Sequence, residues 1–187
     1  MVYTATLMER HGSSEYLVLR QTITQRGALR PVCAVAGITG WAALLVAVLV
    51  WLPYPVAAII PLIILFATFE VIRPLHFGSE RIGRYLQVFY EEMGVLDRPL
   101  ADAPAWERVA MRLGSVPGIG GHPLFVPVFM LATLTNYLAV LIPGPVPLEF
   151  GALAVPHVAF IAWLGFADRA MRRQRDIELA RFRDLYH

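Results

Sequence analysis

Charged residues vanish from this chain over two long stretches, and the gaps between them set out its elements. From Pro31 to Phe69 none occurs in thirty-nine positions, which as one helix would rise about 58 Å, roughly twice the hydrocarbon thickness of a bilayer. The run therefore divides at Trp51-Leu-Pro-Tyr-Pro55, where two prolines stop a helix and Trp51 and Tyr54 suit a membrane–water boundary. A first span is expected over Val32–Leu52 and a second over Val56–Ile72.

The second stretch, Leu113 to Leu148, opens with Gly114-Ser-Val-Pro-Gly-Ile-Gly-Gly121, too rich in helix breakers to span. A third span is expected from Leu124 to Ile142, a stiff link over Pro143-Gly-Pro-Val-Pro147, and a fourth from Phe150 to Ala167. Trp163 and Phe166 lie near its exit, and Asp168 ends its apolar character.

Outside the spans the pattern turns amphipathic. Ser79 is placed to cap a helix in which Ile82, Tyr85, Leu86, Phe89 and Met93 recur at three- and four-residue steps. Asp102 would cap a second, short one through Trp106, Val109, Ala110 and Leu113, ending at Gly114. Leu17, Leu19, Ile23 and Leu29 mark a helical face before the first span, and Met171, Leu179, Phe182 and Leu185 another after the fourth. The expected fold is all-α: a polytopic membrane protein of four transmembrane helices in two hairpins, with amphipathic cytoplasmic helices. Its parts are an N-terminal helical segment 1–31, a hairpin 32–72, a helical linker 73–122, a hairpin 123–167 and an Arg-rich tail helix 168–187.

Composition sharpens this. Apolar residues make up 57% and charged ones 16%, against about a quarter charged in soluble domains. All sixteen basic residues are arginine, which suggests a GC-rich bacterial genome. Four precede the first span, six lie between Arg73 and Arg112, six between Arg169 and Arg183, and the two proline-rich links hold none. Cytoplasmic segments collect arginine, so both termini and the middle segment are expected on the cytoplasmic side of a bacterial inner membrane. No cleavable leader is read in the first thirty-one residues.

Candidate chemistry is sparse. A single cysteine, Cys33, excludes an internal disulfide, and no HExxH, GxSxG or Walker lysine is found. The ionisable residues within spans are Glu70 and His157, and such residues carry a functional expectation by default. Glu70 is three residues from Arg73, one helical turn. At helical rise His157 lies about 11 Å inside the fourth span and Asn136 about 9 Å inside the third, counted back from Ile142, so the two are expected to face each other, joined by Thr133 one turn away. This intramembrane set (Asn136, His157, Thr133, Glu70) is either a helix clamp or a proton or substrate site.

At the inner surface Arg81, Arg84, Arg169, Arg172 and Arg173 are expected to contact lipid or a partner. His76 and His122 are a weak candidate metal pair, and headgroup chemistry from Glu91, Glu92, Asp97 or His122 has no supporting spacing. Ala36 and Gly40 have the small-xxx-small spacing that lets a helix approach. Together these features point to a non-enzymatic accessory, anchoring or scaffold subunit without a cofactor. Its partners would be the bilayer and other subunits or further copies of itself, with no nucleic acid. The alternative is a small transporter, channel or proton-handling subunit using Asn136 and His157.

Overall fold

An apolar segment satisfies its backbone in lipid only by closing hydrogen bonds on itself, and helix accounts for every element among the described residues. The computed structural model describes the backbone of residues 2–52, 54–92 and 122–185, with side chains over 14–52, 54–90 and 122–185. Helix α1 runs Val2–Trp51; after a 3-10 turn at Pro55–Ala58, α2 runs Ile59–Leu86 and passes into a π-helical turn, Gln87–Glu92. Helix α3 is Val126–Ala139 and α4 is Pro147–Asp184. Three helical stretches, Ser14–Trp51, Pro55–Tyr90 and Pro147–Asp184, are long and apolar enough to cross a membrane, and Val126–Ala139 is apolar but shorter.

Several expected boundaries move. Ser79 does not cap a new helix; it lies inside α2, which continues unbroken past Pro74. Likewise α1 carries Pro31 and α4 carries Pro156 in their interiors, so the N-terminal segment is continuous with the first apolar run and the tail helix with the last. A proline removes one N–H and opens one turn, a smaller loss than ending a helix and leaving several backbone groups unpaired. The prolines at Pro55, Pro127 and Pro147 stand instead in first turns, where the missing N–H is not needed. The short helix expected from Asp102 to Gly114 and the Gly118–Gly121 run lie outside the described residues.

Helix α3 is shorter than the expected Leu124–Ile142 because both ends are turns. Phe125, with φ 53° and ψ 25°, is in the left-handed region, at a cost of about 1–2 kcal/mol for a side-chain-bearing residue, and its N–H bonds the His122 carbonyl at 2.8 Å. After Ala139 the chain tightens through successive turn bonds, Ile142 N–H to Ala139 carbonyl at 3.1 Å among them, to Gly144 at φ 70°. Glycine holds that conformation without penalty.

The chain divides into two compact units, Leu29–Leu75 with His122–Met171, and Met1–Ala28 with His76–Gly121 and Arg172–His187. In the first, the apolar unit, Trp41, Leu45, Leu65, Phe69, Phe129, Phe160 and Leu164 form the buried centre. Phe69 meets Phe129 and Phe160 edge to face, at 5.5 and 6.3 Å between centroids. Its outer surface is also aliphatic: Val35, Val46, Leu131, Val155 and Val158 are each more than 60% exposed. An exposed apolar surface of this extent on every helix suits lipid and not water.

Close helix approach in this unit occurs at Gly37, where a Cβ would overlap the Thr68 side chain, lying 2.7 Å from Thr68 Cβ. The expected Ala36–Gly40 face is outward, and a Cβ on Gly40 would meet nothing within 4 Å.

The second, polar unit is built from the N-terminal part of α1, the end of α2 with its π turn, and the end of α4. Tyr85, Phe89 and Phe182 pack at 4.8 to 6.4 Å between centroids, and Tyr16 packs on Tyr90 at 5.5 Å.

Candidate functional site

Within the apolar unit, polar chemistry concentrates on Asn136, fully buried on α3. The Trp41 indole N–H donates to Asn136 Oδ1 at 3.0 Å. Indole nitrogen donates only, so this contact fixes which end of the amide is oxygen. The Nδ2 group then donates to the Ala58 carbonyl at 2.9 Å and to His157 Nε2 at 2.9 Å. One side chain thereby ties together α1, the start of the second apolar helix, α3 and α4.

His157 completes the set. Its Nε2 accepts from Asn136, so the ring proton is on Nδ1, which donates to the Leu153 carbonyl at 2.7 Å. Both ring nitrogens are engaged in one neutral tautomer, and the ring lies 5.1 Å from that of Tyr137, whose hydroxyl donates to the Phe150 carbonyl. Thr133 is buried one turn away but does not join: its hydroxyl donates back to the Phe129 carbonyl at 2.7 Å, within its own helix.

Near the other end of this unit, Glu70 uses both carboxylate oxygens. Arg73 pairs with Oε2 at 2.7 Å and the Trp163 indole donates to Oε1 at 2.8 Å. The Arg73 guanidinium also lies over the Trp163 ring, 5.1 Å from its centroid, and Trp163 stacks on Phe166. His122 pairs with Asp168 at 3.0 Å. His76 falls in the polar unit, buried, and among the described residues no group of three or more His, Cys, Asp or Glu gathers in one place. Cys33 is a half-buried free thiol.

The polar unit has its own centre at Glu178. Arg81 reaches its Oε1 through Nε and Nη2 at 3.1 and 3.0 Å, Arg84 pairs with Oε2, and Gln174 donates to Oε1. Burial alone would raise the Glu178 carboxyl, but Gln174, Arg81 and Arg84 outweigh it and hold the group below the usual carboxylate range. Arg84 is 1% exposed and also meets Glu80 at 3.3 Å. It is therefore turned inward, not toward lipid or a partner as expected, because a carboxylate on α4 waits for it inside. Arg81 is the more exposed of the pair, and Arg169, Arg172 and Arg173 are exposed on α4.

A second carboxylate, Glu15 on α1, accepts hydrogen bonds from the hydroxyls of Tyr85 at 3.2 Å and Tyr90 at 2.8 Å. Five residues apart, the two phenols would diverge by about 140° on an α-helix at 3.6 residues per turn; the wider π turn between them brings both to one acceptor. Burial, then the neighbouring Glu15 carboxylate, pushes both phenols above their ordinary range.

Residue spacing placed Asn136 and His157 at one depth but missed Trp41, Ala58, Glu178 and Glu15. For Trp41 a signal existed: an indole N–H in mid-span requires an acceptor. The others depend on which way each helix is rotated. Compared with protein-family models, curated proteins and solved structures, the chain matches none.

Proposed function

We propose that this chain is a four-span integral protein of a bacterial cytoplasmic membrane, two helical hairpins with both termini and segment 73–122 on the cytoplasmic side. Its role is that of a non-enzymatic accessory or scaffold subunit. The observation that carries this is the Asn136 cluster: its polar groups are spent on partners within the same chain, and Asn136 itself bonds three other helical segments. His157 keeps no ring nitrogen free to relay a proton, and Glu70 has both oxygens occupied. Such groups hold helices together where apolar contact gives little net drive.

The count of four spans rests on including α3 despite its length. Its lead-in residue His122 pairs with Asp168, while Tyr137 near its end bonds Phe150. Helix α3 with its turns thus runs antiparallel beside the nineteen residues Phe150–Asp168 of α4, about 27 Å of rise, close to a hydrocarbon thickness of about 30 Å. Exposed Trp51 and Tyr54 stand at the link of the first hairpin, where interfacial aromatics belong.

Two measurements test the proposal. Single cysteines placed in a Cys33→Ala background should label from outside at positions 53 and 145 and from inside at 98 and 175; inside labelling at 145 refutes the two-hairpin topology. Native mass spectrometry of the tagged chain, extracted mildly from its own membrane, should find it in stoichiometric complex with another polypeptide. A homo-oligomer carrying a bound small molecule or metal would instead favour transport or catalysis.

A further inference from the structure

The apolar unit is not filled at the end where α1 gives way to the 3-10 turn. A cavity of about 100 Å³ lies there, walled on its inner side by Leu45, Ala58 and Ala139, all buried, and rimmed by Leu52, Tyr54 and Ile142, each at least 44% exposed. It is therefore a recess that opens outward and not a sealed void. The space exists because two of the wall residues are alanine, and their separation is fixed. Asn136, one turn before Ala139 on α3, holds the Ala58 carbonyl at 2.9 Å and is itself held by Trp41, so the wall does not relax inward to close the gap.

The lining selects its occupant by exclusion. Apart from Tyr54, whose phenol is at the rim, every lining side chain is hydrocarbon. Water needs two to four polar partners to occupy a cavity, and an aliphatic cavity of about 150 Å³ stays dry and accepts a benzene-sized apolar guest. Residues 45–58 and 139–148 carry no charge, and the next charged residue along the chain, Glu149, is acidic. No cation is thus offered there to the carboxylate of a free fatty acid or to an anionic headgroup.

We infer that this recess holds part of one acyl chain of an ester-linked phospholipid, taken from the leaflet at that end of the unit and chosen by its chain, not its headgroup. The gain over bulk lipid is contact: a protein wall packs more densely around the chain than fluid neighbours do. The inference rests on the membrane placement proposed above, and its test separates the two.

The full-length chain is reconstituted in nanodiscs of equal parts phosphatidylglycerol and phosphatidylethanolamine and transferred to mild detergent, and the lipid it still holds is counted by native mass spectrometry. Wild type should keep one phospholipid per chain, with the two headgroups in their bilayer proportion. Ala139→Leu and Leu49→Phe fill the recess from α3 and from α1, each adding three carbons. A displaced methylene is worth about fourfold in binding, so each variant should hold less phospholipid by about tenfold or more. Because they act from different helices, either variant that keeps the wild-type circular dichroism decides. Leu138→Ala, on the exposed side of α3, should hold as much as wild type. A wild-type chain that keeps no phospholipid, undiminished retention in the filled variants, or an equal loss in Leu138→Ala overturns the site. A retained free fatty acid, or one headgroup in strong excess, overturns the occupant. A chain that does not enter the discs overturns the membrane placement as well.

Discussion

Replacing Asn136 by alanine is the most direct test of the clamp. The substitution removes three hydrogen bonds, to Trp41, Ala58 and His157. Interhelical bonds of this kind average about 0.6 kcal/mol in membrane proteins and reach about 1.7, so the direct loss is about 2 kcal/mol. The Trp41 N–H and His157 Nε2 are then left buried without partners, at about 1 kcal/mol or more each. We expect Asn136→Ala to cost about 2–4 kcal/mol. Trp41→Phe keeps the ring volume and removes one donor, so its cost should be about 0.6–1.7 kcal/mol, and the double variant should cost less than the sum. The assay is thermal unfolding in mild detergent, read by maleimide reaction of Cys33, the chain's single cysteine, which packs against the same core. If Asn136→Ala unfolds within about 0.5 kcal/mol of wild type, or if the two substitutions are strictly additive, Asn136 is not holding the helices together.

Gly37→Ala should destabilise by about 1–3 kcal/mol, since its Cβ would overlap Thr68, whereas Gly40→Ala, with open space around it, should be neutral or slightly stabilising; equal melting temperatures would refute the helix contact. Glu178→Gln should cost about 1–3 kcal/mol in the polar unit, because buried Arg84 loses one of its two carboxylate partners and keeps only Glu80; hydrogen exchange at residues 80–90 reports it. Acid should act in the same place. The Glu178 carboxyl is held low in the folded chain, so its contribution is present above the ordinary carboxylate pKa near 4.5 and disappears as pH falls through the lower folded value; exchange rates that stay flat on acidification would contradict this. At the alkaline end Tyr85 and Tyr90 are raised, so their contribution is whole below pH 10 and lost as pH climbs toward their folded values. Spectroscopic titration should show tyrosines ionising late, and Glu15→Gln should bring them earlier.

Much of this molecule is set by the order of its residues. Charge-free runs of this length have no stable place in water, and helix is the form that satisfies their backbone in lipid. The clustering of every arginine outside those runs, and the similar depths of Asn136 and His157 within the third and fourth expected spans, are also properties of the chain as written. The tertiary structure decided what depends on rotation about each helix axis. Where a helix is apolar on all sides, its sequence period does not mark the face turned inward. That is why Trp41 and the Ala58 carbonyl emerge as partners of Asn136 while Thr133 does not, and why Gly37 and not Gly40 receives the neighbouring helix. In the polar unit the pairings reach across segments far apart in the chain, Glu15 with Tyr85 and Tyr90, and Glu178 with Arg81 and Arg84. A carboxylate's partner there is settled by packing, and one π-helical turn is enough to bring two phenols to the same acceptor.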